Sequence, residues 1–292
     1  MQEEWAICDT GKEQSPVALS YREATSQSAS RPTLKTSPGK VTVRMREVNP
    51  SAVNRSLLIE PYIPPPPPLV GDAPPVDVYR PPEPLAIVTI PDAGTYAFRS
   101  CHFHVGGSEH VVEGKRGDME IHFAFEKISG QWAREKPLAA VEQTSTETVP
   151  PPLETIVTPT RADGFPAPQA LVVAIICDQA ENSDLWLQEL FENFPLSKSE
   201  IESRPAGIAM DFDFRDILPD LEHTSFFSYD GSFTRPPGTE GIRWLVMGER
   251  TKVAKQDLQD LLAAQNGSNV RPLQPLNQRK VFRFPAIPNP GD

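Results

Sequence analysis

Four of the five histidines in this chain fall between residues 102 and 122, in two short runs whose remaining residues are of β-strand type. This clustering constrains the fold more than any other feature, because it forces two strands to lie side by side if the imidazoles are to share a purpose. In a strand, alternate side chains point to one face, so His102 and His104 project together while Cys101, Phe103 and Val105 face the other way. The second run, Met119 to Phe125, places Glu120, His122 and Ala124 on one face and Met119, Ile121, Phe123 and Phe125 on the other. Paired antiparallel with the first, it brings His122 to the same point as His102 and His104. Three neutral imidazoles with a fourth position left for solvent is the pattern of a catalytic zinc site, whereas a structural site is closed by a fourth protein ligand. Glu120 lies on the face of His122 and can fix its second ring nitrogen, which sets tautomer and basicity. A set of hydrogen-bonded core histidines is the competing reading. His110 reads as a structural hydrogen-bonding residue beside the site, and His223 as a surface or loop residue.

Around this centre the pattern is predominantly β. Runs of strand type occupy 40–46, 86–90, 96–105, 119–125, 170–177, 208–214 and 242–247. Helical spacing appears after Asn182-Ser183, where Leu187, Leu190, Phe191 and Phe194 share a face, and over 253–262 through Ala254, Leu258, Leu261 and Leu262. The 33 prolines are roughly double the usual share. They concentrate in residues 57–90, including Pro64 to Pro68, and in a softer Pro/Thr/Glu-rich stretch over 134–168. Such runs favour polyproline II geometry and do not feed a sheet interior. Both are expected as insertions within one domain spanning 1–286, followed by a tail over 287–292. Each is a surface segment or a docking element for a protein partner.

With 28 basic against 39 acidic residues the net charge is −11, which disfavours nucleic acid and anionic membranes as partners. No apolar run approaches the roughly 18 residues of a membrane span, and the start Met-Gln-Glu-Glu-Trp lacks the pattern of a signal peptide. The chain is expected to be soluble, with its compartment open between the cytoplasm and an organelle lumen or periplasm. Cys8, Cys101 and Cys177 are an odd number and match no thiolate metal motif; buried inert thiols are the simpler reading, and nothing requires a disulfide.

The pieces that carry a family likeness run in order along the chain. They are Gln14-Ser-Pro-Val17, Gly94-Thr-Tyr96, His102-Phe-His104, Gly107-Ser-Glu-His110, Glu120-Ile-His122, the stretch from Tyr229 to Pro237, Glu240-Gly-Ile-Arg-Trp244 and the stretch from Asn269 to Asn277. On these the chain resembles the alpha-carbonic anhydrases. The resemblance implies a mainly β fold, a ten-stranded, strongly twisted and mostly antiparallel sheet with a few peripheral helices. It implies Zn2+ held by His102, His104 and His122, with Glu120, His110 and Tyr229 supporting them from behind. It makes Thr234 the hydroxyl that orients a zinc-bound hydroxide and Glu109 its acceptor. Ala124, Val172, Phe233, Arg235, Ile242 and Trp244 match the lining of the pocket for carbon dioxide and bicarbonate. Zinc lowers the pKa of bound water from about 15.7 to about 7, which supplies the nucleophile.

Several positions depart from the family pattern. Arg235 replaces a threonine, Phe233 a leucine, Ala124 a valine, and Ser100 stands where an amide normally supports the first histidine. No histidine precedes His102, so the usual proton-shuttle residue is missing and turnover limited by proton transfer is expected. Gly238 occupies the partner position of Cys8, which rules out the bridge of exported relatives. The alternative function is a scaffold or interaction subunit that keeps the fold with little or no activity. All three zinc histidines are retained, which favours the enzyme. A zinc peptidase would need a His-Glu-x-x-His helix, which is absent.

Overall fold

The structure is a computed structural model, and it describes residues 10–27, 30–39, 41–48, 56–61, 83–91, 93–128, 168–193 and 208–288. Its first strands are β1 (Ala18–Leu19), β2 (Thr25–Ser26), β3 (Thr33–Thr36), β4 (Val41–Val48), β5 (Ser56–Pro61) and β6 (Ala86–Ile90). The site region follows with β7 (Gly94–Val105), β8 (Val111–Val112), β9 (Lys115–Arg116), β10 (Met119–Lys127) and β11 (Ala170–Ala180). After helix α1 (Leu185–Asn193) come β12 (Ile208–Phe212), β13 (Phe226–Ser232), β14 (Glu240–Met247) and β15 (Thr251–Ala254). Helix α2 (Lys255–Ala264) and β16 (Phe282–Phe284) complete the order.

One sheet of 13 strands dominates, and ten of them form a continuous path, β12-β4-β5-β7-β10-β11-β14-β13-β16-β2. The expected ten-stranded sheet is thus found, widened by β3, β6 and β15 at its flanks. Most pairings are antiparallel; β11 runs parallel to both β14 and β15, and β16 to β2. Strand β11 reads as a near-continuous apolar run, Leu171 to Cys177, and is buried throughout that stretch, as a strand covered on both faces must be. No helix among the described residues is long and apolar enough to cross a membrane.

The period-2 alternation divides the central strands into two faces. The odd-numbered residues of β10, of β11 and of β7 from Cys101 onward, among them Phe103, Ile121, Phe123 and Val173, join the larger core, where Leu187 and Leu190 of α1 and Leu258 and Leu261 of α2 pack against them; before the bulge in β7 the even-numbered Tyr96 and Phe98 take that face. The even-numbered residues Val172, Ala174, Ile176, Ile242, Trp244 and Val246 form a second, smaller cluster on the opposite face. That second face carries the histidines.

Three expectations need correction. The start of the 57–90 segment is a strand, Ser56–Pro61, where only an insertion was expected, while the strand expected over Ala86–Ile90 is found; both pair with β7, one at each of its halves. Leu57 and Ile59 are buried, which is what commits this end to the sheet despite the prolines beyond it. Residues 62–82, and with them Pro64 to Pro68, lie outside the described residues, as does nearly all of 134–168. Val253 and Ala254 belong to β15 and not to the helix, because Ala254 is extended (φ −67°, ψ 146°) and its amide donates to Ser183 Oγ at 2.7 Å. The strand expected to reach Phe214 stops at Phe212, where Asp213 caps a single 3-10 turn through its carboxylate.

Candidate metal centre

Strands β7 and β10 pair antiparallel with His122 opposite His102 and Glu120 opposite His104. The expected meeting of the three imidazoles follows from this register. Ring centroids lie 5.1 Å apart for His102 and His104, 5.2 Å for His102 and His122, and 4.5 Å for His104 and His122. One nitrogen from each can be chosen so that all three fall within 4.8 Å of one another.

The outer hydrogen bonds decide which nitrogen faces inward. His104 Nδ1 lies 3.1 Å from the Asn269 carbonyl, an acceptor only, so Nδ1 carries the proton and the Nε2 lone pair is left. That Nε2 is buried and has no partner among the described residues. His122 Nε2 donates to Glu120 Oε1 at 2.8 Å, which leaves Nδ1. His102 has no hydrogen bond to its ring among the described residues; its ring contacts are the two neighbouring imidazoles.

Burial holds all three in the neutral form. His102 and His104 are driven well below the usual imidazole range by desolvation, and the Arg235 charge and the neighbouring rings add to the effect. His122 is lowered as well, chiefly by burial, against the pull of Glu120. Three neutral nitrogens converging on one point, one of them an unpartnered buried lone pair, fit a divalent zinc ion.

Behind the nest lies a closed polar network. Glu120 Oε1 accepts from His122 and, at 2.6 Å, from His110 Nδ1, while Oε2 accepts from the His110 backbone N–H at 2.7 Å. His110 Nε2 meets the Tyr229 hydroxyl at 2.6 Å, and Tyr229 donates in turn to Ser15 Oγ at 2.9 Å. Burial alone would raise the Glu120 carboxyl, but His110 and the two imidazole hydrogen bonds outweigh it and hold Glu120 well below the usual carboxylate range. The grouping of His110, Glu120 and His122 is therefore satisfied by hydrogen bonds and leaves no site for a second ion.

Glu109 is fully buried, with Oε1 accepting the Arg271 backbone N–H at 2.8 Å. Desolvation and the Glu120 charge push its carboxyl up to about 8, against the Thr234 hydroxyl and Arg235, which both favour ionisation. Thr234 is buried in the chain that leaves β13, beside Arg235, which is half-buried. The expected pocket residues fall in a row across the sheet, Ala124 opposite Val172 and Val172 opposite Trp244, one step along from His122. Ile242 is buried beside them, and Phe233 is about one-third exposed at 36%. His223 sits in a surface turn with Nδ1 2.6 Å from Asp220.

Sequence reasoning gave no role to Asn269, Arg271 or Ser15, although each lay in a quoted stretch. Asn269 bonds Val105 N–H, the Phe103 carbonyl and His104, so a segment 165 residues distant orients the His104 ring. The signal available was the side-chain amide of Asn269 at the head of the Asn-Val-Arg-Pro run, and only tertiary contact reveals its purpose.

A profile described as eukaryotic-type carbonic anhydrase matches residues 162–285. Carbonic anhydrase 6 of Bos taurus is 31% identical over 213 residues, covering 66% of this chain and 56% of that protein. Over the matched residues the chain is similar to the alpha-carbonic anhydrases. Dioscorin DB3L of Dioscorea polystachya is 29% identical over 195 residues, covering 65% of this chain and 55% of that protein. The matches thus span little more than half the length of these relatives. Among solved structures, the alpha-carbonic anhydrase from Thermovibrio ammonificans with the inhibitor sulfanilamide aligns with TM-score 0.59 at 20% identity, covering 95% of this chain and 90% of that one. That likeness concerns the fold alone.

Proposed function

We propose that this chain binds one zinc ion through His102, His104 and His122 and catalyses the reversible hydration of carbon dioxide to bicarbonate and a proton. The observation that carries this reading is the convergence of three neutral imidazoles, with the buried Nε2 of His104 lacking any partner among the described residues. Zinc, when bound, supplies Lewis acidity strong enough to make water a nucleophile near neutral pH.

The protein's own groups do the orienting. Glu120 and the Asn269 carbonyl fix the tautomers of His122 and His104, so that the lone pairs are set before an ion arrives. A cation in the nest favours ionised Glu109, which then accepts from the Thr234 hydroxyl and leaves the threonine oxygen free to accept in turn. Thr234 so aligned admits a protonated nucleophile in one orientation only. The apolar row of Ala124, Val172 and Trp244 beside the histidines suits a small linear molecule without hydrogen-bond donors.

Carbon dioxide hydration by the zinc-loaded protein, followed by stopped-flow indicator change, tests the reading. The expected result is hydration that disappears on zinc removal and returns on readdition. Thr234→Ala should lower kcat/KM by about a hundredfold, as loss of one preorganised transition-state partner does. Zinc-loaded protein with no hydration above buffer would overturn the proposal.

A further inference from the structure

The His104 ring takes its orientation from the Asn269 carbonyl, and what holds Asn269 lies outside the metal nest. Helix α2 ends at Gln265, where Gly267 N–H donates to the Leu262 carbonyl at 2.7 Å and Asn266 N–H to that of Ala263 at 3.3 Å, the paired bonds of a Schellman turn. Asn266 takes the left-handed conformation that this turn requires, at φ 59°. The chain then doubles back against the end of β7, where Gly106 makes room: a Cβ there would stand 2.6 Å from Ser268 Cβ. Asn269 is thereby laid alongside β7 with its side-chain amide spanning His104. Its Oδ1 accepts from Val105 N–H at 3.0 Å, and its Nδ2 donates to the Phe103 carbonyl at 2.9 Å and to Gln265 Oε1 at 2.7 Å. Gln265 is 1% exposed, and that bond settles how its own amide faces, with the oxygen toward Asn269 and Nε2 away from it. Nε2 is buried and has no partner among the described residues. Unmet buried donors cost folding free energy that an apolar side chain of the same shape would not, so stability does not account for an amide at this position.

We infer that Gln265 is a positioning residue for the metal nest: by locking the Asn269 amide across residues 103 to 105, it fixes the backbone carbonyl that holds the His104 ring. The Gln265 oxygen takes the second Nδ2 proton of Asn269, and it forbids the flipped amide, in which Oδ1 would face the oxygens of both Phe103 and Gln265 while Nδ2 faced Val105 N–H. With the amide locked, the Asn269 carbonyl stays where His104 Nδ1 donates to it, and the Nε2 lone pair stays turned toward the other two imidazoles. This inference rests on the zinc-binding half of the proposed function, but its effect on the His104 ring can be read without metal.

The test compares full-length wild type with Gln265→Met, which keeps the length of the side chain and removes the acceptor. In long-range proton–nitrogen NMR spectra of the metal-free protein, the wild-type His104 ring should be protonated at Nδ1 alone, and in Gln265→Met the proton should be shared between both ring nitrogens. Zinc affinity, by competition with a chromogenic chelator, should fall about three- to tenfold in the variant, at or below the low end of what loss of a direct support of a ligand costs. The unfolding midpoint of the metal-free variant should stand at or above that of wild type, because the unmet donors on Gln265 leave and only one, on Asn269, is created. Gln265→Glu keeps an oxygen toward Asn269 and should bind zinc no more than about twofold more weakly than wild type. In an Asn269→Ala background Gln265→Met should change zinc affinity by about twofold or less, since it acts through Asn269. A single His104 tautomer in Gln265→Met, or zinc bound as tightly as by wild type, would overturn the inference while leaving the metal site standing. Wild type that binds no zinc would overturn the proposed function, and the His104 ring signal would then decide the role of Gln265.

Discussion

Glu120 is the residue on which the site's chemistry most depends, because one of its oxygens serves His110 and His122 at once. Glu120→Gln removes the charge and puts an NH2, which cannot accept, against the His110 backbone N–H, so zinc affinity should fall by about 10- to 100-fold, read by competition with a chromogenic chelator. The titration of the metal-free protein is a second consequence at this scale. His102, His104 and His122 all have folded-state pKa values below the usual one, so below about pH 6.5 the unfolded chain takes up protons that the folded chain refuses, and stability falls with falling pH. Glu109 works in the opposite sense. Raised to about 8, it keeps a proton in the folded state that the unfolded chain has lost, so its contribution drains away as pH rises from about 4.3 toward 8. Three groups outweigh one below about pH 6.5, and Glu109 alone acts above it. Calorimetry after chelation should therefore place the highest unfolding midpoint near pH 6.5; a midpoint unchanged between about pH 5 and 6.5 would contradict the burial of neutral imidazoles.

At the level of elements, the division of β7 and β10 into two faces separates stability from chemistry. Phe103 lies between the two ligands in sequence yet points into the larger core, where its ring is 5.9 Å from that of Phe191 in α1. Phe103→Ala should cost about 3 to 5 kcal/mol of stability through the cavity it leaves. Zinc should still bind one ion per folded chain, because His102 and His104 face the other way; chemical denaturation and metal analysis together check this. The same alternation explains how much the sequence disclosed. Met119 to Phe125 announces its two faces directly, so the ligand register could be read from spacing alone. Strands β5 and β13 were obscured, one by the prolines that follow it and one by glycine and polar residues such as Asp230 and Gly231 that weaken a period-2 pattern. Helix α2 was anticipated too early because Val253 and Ala254 satisfy both periodicities, and only the pairing of β15 with β11 decides between them.

For the whole molecule, the site is assembled from pieces far apart in the chain. Ser15, His110, Glu120 and Tyr229 form one network, and Asn269 and Arg271 reach back to His104 and Glu109. Such contacts leave no local signature, which is why the meeting of the three histidines was legible in the spacing while Ser15, Asn269 and Arg271 were not. What unites the assembly is a nest of three converging imidazoles, proposed above to hold one divalent ion with one position left to solvent. X-ray absorption at the zinc edge of the loaded protein measures this directly. Three imidazole nitrogens and one exchangeable oxygen at about 2.0 Å are expected; a fourth protein ligand, a sulfur in the shell, or fewer than three imidazoles would contradict it.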